Sequence, residues 1–473
     1  MSESISAAPV QKARASLTEG PVGPTLVLFS LPILASNVLQ SLHVSINTIW
    51  IGQLLGEQAL TASTNANSIL FLLLGLVFGV GMAANVLIGQ SLGAKDVAQA
   101  KRAVGTTALL FLFVSVAMAI FGAVFTPHML VAMHTPADAL PLASAYLRVI
   151  FVALPGMYLY TFVMMALRGA GDSKTPFWFL LLSAVLDVTL NPLLIEGIGP
   201  IPALGIAGAA WSTMISQWVT LLALVAWLYK KKHFLRITGD ELHHLRIDPR
   251  IVRALVAKGV PMGLQVVVIS SSMIAMMSLV NQFGTHTAAA YGACLQLWNY
   301  IQMPAFAVGA AASAIAAQNV GAGLWNRVTR VGRAGLVYNL LLTGSLVTVV
   351  TLVDRYALGL FLKHNAETIE MARHISHLVS WSFVLFGASF VLSGVMRSTG
   401  AVMAPLVILF ISVWIARIPF AYWLLPTLGA DAVWWSFPVG SIMSAMLTGV
   451  YYRFGSWRAA HMLEPVTPAE EST

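Results

Sequence analysis

The chain carries very little charge. Asp, Glu, Lys and Arg make up 9% of its 473 residues, whereas apolar residues make up 58%. A soluble domain has about 25% charged residues, so a water-soluble protein of this length would lack the polar surface needed to cover itself. The composition excludes that class and predicts a protein that lies largely in a membrane.

Cysteines and metal-ligand clusters are also scarce. Cys294 is the single cysteine, which excludes a disulfide within the chain. His374 and His377 stand one helical turn apart without an evident third ligand, so we expect neither a metal site nor another cofactor. The apolar segments hold no nucleophile paired with a base and no metal cluster. Because an intramembrane enzyme would need one of these, we do not expect an enzyme.

Long apolar runs, in contrast, recur along the whole chain. Each is long enough to cross a bilayer, which takes about 20 helical residues. In lipid the backbone must satisfy its own hydrogen bonds, which favours helices. We predict an all-α membrane protein with twelve transmembrane helices. Their approximate ranges are 25–52, 60–88, 103–126, 140–166, 177–197, 204–229, 254–282, 286–315, 333–354, 374–395, 404–426 and 432–453.

The sequence also repeats itself. Gln90 returns as Gln318 at an offset of 228, and Arg168 returns as Arg397 at an offset of 229. Two matching halves are common among secondary transporters. Six spans per half is an even number, so both halves enter the membrane from the same side. We therefore predict two six-helix bundles that are related by a pseudo-two-fold axis along the membrane normal and enclose a central cleft.

The charges predict how the chain is divided and oriented. We expect a cytoplasmic tail (1–24), an N-terminal lobe (25–229), a cytoplasmic basic linker (230–253), a C-terminal lobe (254–453) and a second cytoplasmic tail (454–473). This orientation places 21 of the 26 Lys and Arg residues on the cytoplasmic side, as the positive-inside rule requires. The topology accounts for the net charge of +8. We interpret the linker as resting on anionic membrane lipid rather than on nucleic acid.

Short motifs then give a resemblance. Gly-x8-Gln-x2-Gly-Ala begins at Gly81 and again at Gly309, and two further motifs run from Leu167 to Pro176 and from Pro202 to Ala210. Together they resemble the multidrug and toxic compound extrusion (MATE) family over residues 20–455. The resemblance implies a V-shaped exporter of the bacterial cytoplasmic (inner) membrane. It implies exchange of H⁺ or Na⁺ for small amphipathic, often cationic organic compounds by alternating access, and we expect a monomer.

Charged side chains inside the membrane are the candidates for ion coupling, because they are costly to bury and usually functional. Asp187 lies deep within the fifth span, and Asn191, four residues later, shares its helix face. The resemblance adds Asn47 of the first span and Tyr146 of the fourth. The family commonly has Asp where Asn47 stands, and usually carries Asn before Asp in the fifth span. We predict that Asp187, Asn191, Asn47 and Tyr146 form the coupling cluster.

The coupling ion follows from how few carboxylates there are. The second half lacks the acids that Na⁺-coupled relatives place in the seventh and tenth spans. A Na⁺ site prefers several hard oxygen ligands with at least one charge, whereas a single carboxylate can carry a proton alone. We therefore favour H⁺ over Na⁺.

Candidate substrate-binding residues lie in the eighth and eleventh spans. Tyr291, Gln296 and Asn299 belong to a polar and aromatic stretch, and aromatic faces attract cations. Arg417 either faces an anionic substrate or is structural. The alternative function is a flippase for a lipid-linked precursor, which usually needs several basic residues in the cleft. Four other arginines are interpreted as anchors at the inner membrane interface: Arg102, Arg168, Arg330 and Arg397.

Overall fold

The computed structural model describes residues 17–132, 135–136, 138–197, 202–233, 235–362 and 366–463. Every long regular element in these ranges is a helix. The helices are α1 (Val22–Gly93), α2 (Val97–Ala132), α3 (Leu140–Gly169), α4 (Lys174–Glu196), α5 (Ile206–Lys230), α6 (Pro249–Asn281), α7 (Thr285–Gly321), α8 (Trp325–Gly359), α9 (Ala366–Val379), α10 (Ser382–Arg397), α11 (Met403–Phe410), a π-helix (Ile411–Arg417), α12 (Ile418–Leu428) and α13 (Asp431–Phe454). Most of the two predicted tails, and Lys363, lie outside the described residues.

Helix α1 contains the first two spans. A straight helix of 72 residues would be about 108 Å long at 1.5 Å per residue, far more than a bilayer. Gly56 breaks it with φ 80° and ψ −172°, a conformation that glycine adopts without steric cost. Helices α9 and α10, bent by 45°, form the tenth span, and α11 to α12 form the eleventh. The described chain therefore has twelve spans, and the predicted fold class is confirmed.

The first and seventh spans each pack against both lobes. The beginning of α1, including Leu26, packs among residues of α7, α8 and α10 in the C-terminal half. The beginning of α6, including Leu255, packs among the helices of the N-terminal half. Pro32 and Pro261 are equivalent positions of the repeat and lie inside these two spans. Because proline cannot donate the helical hydrogen bond, each span can bend where it passes from one lobe to the other.

The two lobes meet at one end of the bundle, which we call the basic end and define by the helix ends Gly93, Gly169, Gly321 and Arg397. Gln90 Nε2 donates to the carbonyl oxygen of Ser398 at 2.6 Å. Its repeat partner Gln318 donates to the carbonyl oxygen of Gly169 at 2.9 Å. The two hydrogen bonds are related by the internal repeat, so the repeated motif joins the lobes.

Glycine is required where these lobes touch. A Cβ on Gly93 would lie 1.9 Å from the backbone oxygen of Gln318, and a Cβ on Gly321 would lie 1.9 Å from that of Gln90. Any side chain at either position would push the lobes apart. The structure is thus closed at the basic end. In the orientation predicted from charge this end is cytoplasmic.

The segment before α1 is fixed to the C-terminal lobe at the same end. Arg327 donates from Nη1 to the carbonyl oxygen of Gly20 at 2.8 Å and from Nη2 to that of Glu19 at 3.0 Å. The backbone N–H of Leu17 donates to Gln318 Oε1 at 3.3 Å. Closure therefore involves the N-terminal segment as well as the two glutamine motifs.

Candidate functional site

The most deeply buried carboxylate in the N-terminal lobe is Asp187, which is 1% exposed. Its Oδ2 lies 2.5 Å from Nε2 of His43 and accepts a hydrogen bond from Nδ2 of Asn47 at 2.8 Å. His43 and Asn47 are four residues apart on α1 and so share one face of that helix. The first span thus presents both side chains to the acid on α4.

Helix α5 completes the surroundings of this acid. Ser212 Oγ donates to Asp187 Oδ1 at 2.5 Å, and Thr213 Oγ1 lies 3.3 Å from both carboxylate oxygens. Ser212 Oγ is also 2.8 Å from the backbone oxygen of Asp187. A buried carboxylate is tolerated when hydrogen-bond donors or a cation compensate its charge. Donors from two neighbouring helices supply that compensation here.

The four coupling residues predicted from the sequence come together. Asn191 Nδ2 donates to Asn47 Oδ1 at 2.8 Å, so Asn47 links the two polar residues of α4. Tyr146 is buried and interacts electrostatically with Asp187. The geometry brings all four into one cluster, and their role in coupling stays a prediction.

His43 belongs to this cluster, and the sequence analysis missed it. Carboxylates and arginines stand out as charges in an apolar span, whereas histidine is formally neutral at pH 7. The sequence nevertheless places His43 on the same helix face as Asn47, because the two are four residues apart in an apolar span. Histidine is the side chain whose ordinary titration falls within the physiological pH range. The contact between His43 and Asp187 therefore places an imidazole beside the buried carboxylate.

A second site lies inside the C-terminal lobe. A cavity of about 260 Å³ is lined by the seventh, eighth, tenth, eleventh and twelfth spans. Three of the four predicted substrate-binding residues line it, namely Gln296, Asn299 and Arg417. The fourth, Tyr291, does not line the cavity. It is fully buried and packs against Trp298, Trp434 and Phe437, behind the cavity wall.

Arg417 is the charged residue of this cavity. It ends the π-helix, an irregularity that often marks functional sites. Its guanidinium carbon lies 3.4 Å from the centroid of the Phe437 ring. Its Nε and Nη2 atoms are shielded from solvent and have no hydrogen-bond partner. The stacking fixes the plane of the guanidinium, while two of its nitrogens stay without an acceptor.

A smaller cavity of about 80 Å³ lies on the basic-end side of the first. The two share Ile269, Phe386, Leu409 and Ser444 as lining residues. Arg397 lines the smaller cavity and is 3% exposed. The interpretation of Arg397 as an anchor at the membrane interface is therefore wrong. The physical reason is that α10 ends inside the contact between the lobes, where Arg397 Nη1 donates to Gln265 Oε1 at 3.0 Å.

These features define a class of protein. Two lobes that are related by an internal repeat, a polar cluster buried in one, a cavity in the other and closure at one end are features of a secondary membrane transporter. The MatE family profile matches residues 32–193 and 261–423, one match in each half. The matches begin 229 residues apart, in agreement with the repeat. The chain belongs to the MATE family, whose members are transporters and not enzymes.

Curated relatives agree over nearly the full length. The chain is 36% identical to "Probable multidrug resistance protein YoeA" of Bacillus subtilis (strain 168), over 91% of this chain and 93% of that protein. It is 31% identical to "Probable multidrug resistance protein YpnP" of the same organism, over 93% and 97%. Among solved structures, "Outward-facing conformation of a multidrug resistance MATE family transporter of the MOP superfamily" superposes with a TM-score of 0.84. That likeness, at 21% identity and over 92% of this chain and 96% of the other, supports the fold.

Proposed function

We propose that the protein is a multidrug exporter that couples outward movement of small amphipathic organic compounds to inward movement of H⁺. The names of the curated relatives support multidrug export. The observation that carries proton coupling is the contact between His43 and the buried carboxylate of Asp187 at 2.5 Å. Two adjacent proton-binding groups lie inside the membrane on different helices, α1 and α4.

The donors around Asp187 favour H⁺ over Na⁺. The carboxylate oxygens already receive hydrogen bonds from Asn47, Ser212 and Thr213. A Na⁺ ion would need several oxygen ligands, whereas Asp187 Oδ2 is met by two nitrogen atoms, His43 Nε2 and Asn47 Nδ2. A proton needs a single lone pair and can displace one donor without rebuilding the site. Its arrival would neutralise the carboxylate and weaken the attraction between α1 and α4.

That change reaches the lobe interface through α1. The part of α1 that carries His43 and Asn47 contacts the N-terminal lobe, while its beginning packs on the C-terminal lobe. A proton that alters the contacts of α1 with α4 therefore changes a helix that both lobes share. This connection allows protonation to favour one state of alternating access over the other. A ligand shifts a conformational equilibrium only when it stabilises one of the two states more than the other.

Transport in proteoliposomes tests the proposal. H⁺ and Na⁺ gradients are imposed separately, and export of a panel of amphipathic fluorescent dyes is followed in the wild type, in Asp187→Asn and in His43→Gln. The wild type should respond to the H⁺ gradient. Asp187→Asn should lose uphill export, because an amide does not bind the proton, and His43→Gln should change the dependence of export on pH.

A matched control comes from a second pair of this kind. Asp354, which is also buried, lies 2.5 Å from His377 and accepts from Arg373 at 2.9 Å, at the end of the C-terminal lobe away from the basic end. His377→Gln removes a histidine from a buried acid without touching the coupling cluster, so it should leave the pH dependence unchanged. Export driven by Na⁺ alone, or uphill export by Asp187→Asn at the wild-type rate, would contradict proton coupling.

A further inference from the structure

The cavity of the C-terminal lobe has an unusual balance of charge for a site expected to take cations. The charged side chains that line the two adjacent cavities are Arg417 and Arg397, and no acid is among the described lining residues. Like charges a few ångströms apart repel, and they repel more strongly away from bulk water. An organic cation that entered this space would be placed beside a guanidinium without a compensating carboxylate.

Two other arginines of this fold, Arg373 and Arg327, have their guanidinium groups satisfied by hydrogen bonds or ion pairs. Arg373 pairs with Asp354 and Glu370. Arg327 donates to three backbone carbonyls and to Asn319 Oδ1. Arg417 instead keeps Nε and Nη2 shielded and without a hydrogen bond, and so does Arg397. A buried donor without a partner is costly, and for a charged group the cost is greater.

We propose that this cavity binds an organic anion, with a carboxylate or phosphate group on Arg417 and an aromatic body against Trp298, Phe383 and Phe437. The inference rests on the proposed export function and names the substrate class of its C-terminal cavity. A planar guanidinium held by stacking presents its nitrogens in the geometry that matches a carboxylate or phosphate. Ser272 Oγ, another lining group without a partner, supplies a further donor.

The size of the cavity limits the ligand. Its volume is about 260 Å³, and the adjacent cavity has about 80 Å³. Both values are small compared with the usual range for small-molecule sites. That space suits a compound of two fused rings with one anionic group. A lipid could also bring a phosphate to Arg417 from the cleft, and the experiment separates that source from a soluble anion.

The test uses two probes of similar shape and opposite charge. Binding of 1-naphthoate and of 1-naphthylmethylammonium is measured by titration calorimetry with the full-length protein in phosphatidylcholine nanodiscs. The naphthoate should bind at least tenfold more tightly. Arg417→Gln should weaken naphthoate binding at least tenfold and remove the preference for the anion. Arg417→Lys, which keeps the charge but loses the planar fork, should retain part of it. Arg373→Gln removes a paired arginine and serves as the matched control.

Several results would overturn the inference. These are equal or tighter binding of the ammonium probe, or unchanged naphthoate affinity in an Arg417→Gln protein whose melting temperature matches the wild type. If Arg417→Gln fails to fold, naphthoate binding is measured in two other variants, Arg417→Lys and Phe437→Leu, the second of which removes the stacking surface. Unchanged naphthoate affinity in both would overturn the inference. The naphthoate titration is repeated in nanodiscs that contain phosphatidylglycerol. If this lipid weakens naphthoate binding, and does so only when Arg417 is present, the assignment to a soluble anion is overturned.

The inference and the proposed function can fail separately. The binding measurement needs no ion gradient, so a protein that prefers naphthoate but exports nothing in response to H⁺ contradicts only the proton coupling. A protein that exports dyes in response to H⁺ but prefers the ammonium probe contradicts only the anion site.

Discussion

Asn47 links the two polar residues of α4. Its Nδ2 donates to Asp187, while its Oδ1 accepts from Asn191. A side-chain amide offers donors at one end and an acceptor at the other, so a half-turn of Asn47 would reverse both hydrogen bonds. The cluster can therefore accommodate the carboxylate at either position on α4, whereas the contacts of His43, Ser212 and Thr213 are specific to position 187.

The reversible orientation of Asn47 should allow the two polar residues of α4 to be exchanged. The exchange Asp187→Asn with Asn191→Asp should recover part of the H⁺-driven export that Asp187→Asn alone loses, because Asn47 can donate to the new carboxylate. Recovery should be incomplete and the pH optimum of export shifted, since burial and neighbours set proton affinity. Export is measured in proteoliposomes across a pH series. A double variant as inactive as the single one would show that the polar residues do not act as one cavity.

At the level of elements, the contact between the ends of α1 and α7 decides whether the basic end can stay closed. The two backbones approach at Gly93 and Gly321 so closely that no Cβ fits, and glutamines from both helices bridge to the opposite lobe. The contact is symmetric under the repeat. Opening must break both hydrogen bonds together, which makes the closed arrangement a cooperative state.

Gly93→Ala should open this end. The new Cβ at 1.9 Å from the Gln318 oxygen must move away by about 1.5 Å to reach ordinary van der Waals contact. Spin labels at Asp96→Cys and Leu324→Cys, measured by double electron–electron resonance, should report a longer distance than in the unsubstituted background. Gly292→Ala on α7, where a Cβ would meet nothing within 4 Å, is the control. An unchanged distance in Gly93→Ala would refute the role of this contact.

The basic linker is fixed to α2 by an ion pair. Glu241, in the short 3-10 helix Gly239–His244, pairs with Lys101, and the hydrogen bond from Lys101 lowers the pKa of Glu241 from 4.5 to about 2. Because the folded pKa is lowered, the pair stabilises the docked linker above pH 4.5. That contribution is lost as the pH falls towards 2. We therefore expect the charge on Glu241 to contribute to the docking of the linker.

Glu241→Gln at pH 7 should reproduce the acid effect. A spin label on the exposed position Leu242→Cys should become more mobile than in the background protein, because the linker loses a charged contact worth at most about 1 kcal/mol at a part-exposed site. Asp240→Asn changes a neighbouring acid without a role in this pair and should leave the label unchanged. Equal mobility in the Glu241→Gln and background proteins would mean that the linker is held by other contacts.

At the level of the whole molecule, the surface and the charges define an orientation. Large apolar side chains such as Phe113, Ile274 and Leu352 are exposed around the helices, as expected for a surface in contact with lipid. Basic residues collect at the end where the lobes meet. The charge pattern predicts that this end, with the linker, is cytoplasmic.

Cysteine labelling tests that orientation. The native Cys294 is buried, so a single introduced cysteine reports its own position. A membrane-impermeant maleimide added to intact cells should label Leu360→Cys, at the opposite end, and should spare Leu242→Cys in the linker. Both should react after the membrane is opened. Labelling of Leu242→Cys in intact cells would reverse the predicted topology.

Composition and internal repetition were enough to predict the class of this protein and its division into two lobes. Apolar runs of span length predict helices because lipid offers the backbone no other partners, and the 228–229 offset predicts two equivalent lobes. Residues on one helix face were also predictable, because α-helical spacing is fixed. For that reason Asp187 and Asn191 could be grouped without a structure.

The pairing of helix faces, in contrast, depends on how the helices pack in the folded protein. His43 reaches Asp187 across 144 residues, and helical periodicity carries no information about packing between helices. The same limit applies to Arg397, which belongs to a helix end by sequence and to a buried cavity by packing. It applies also to Tyr291, whose ring turns into the core while Gln296 and Asn299 face the cavity. Local spacing fixes the face of a helix, and the contacts between lobes determine what that face meets.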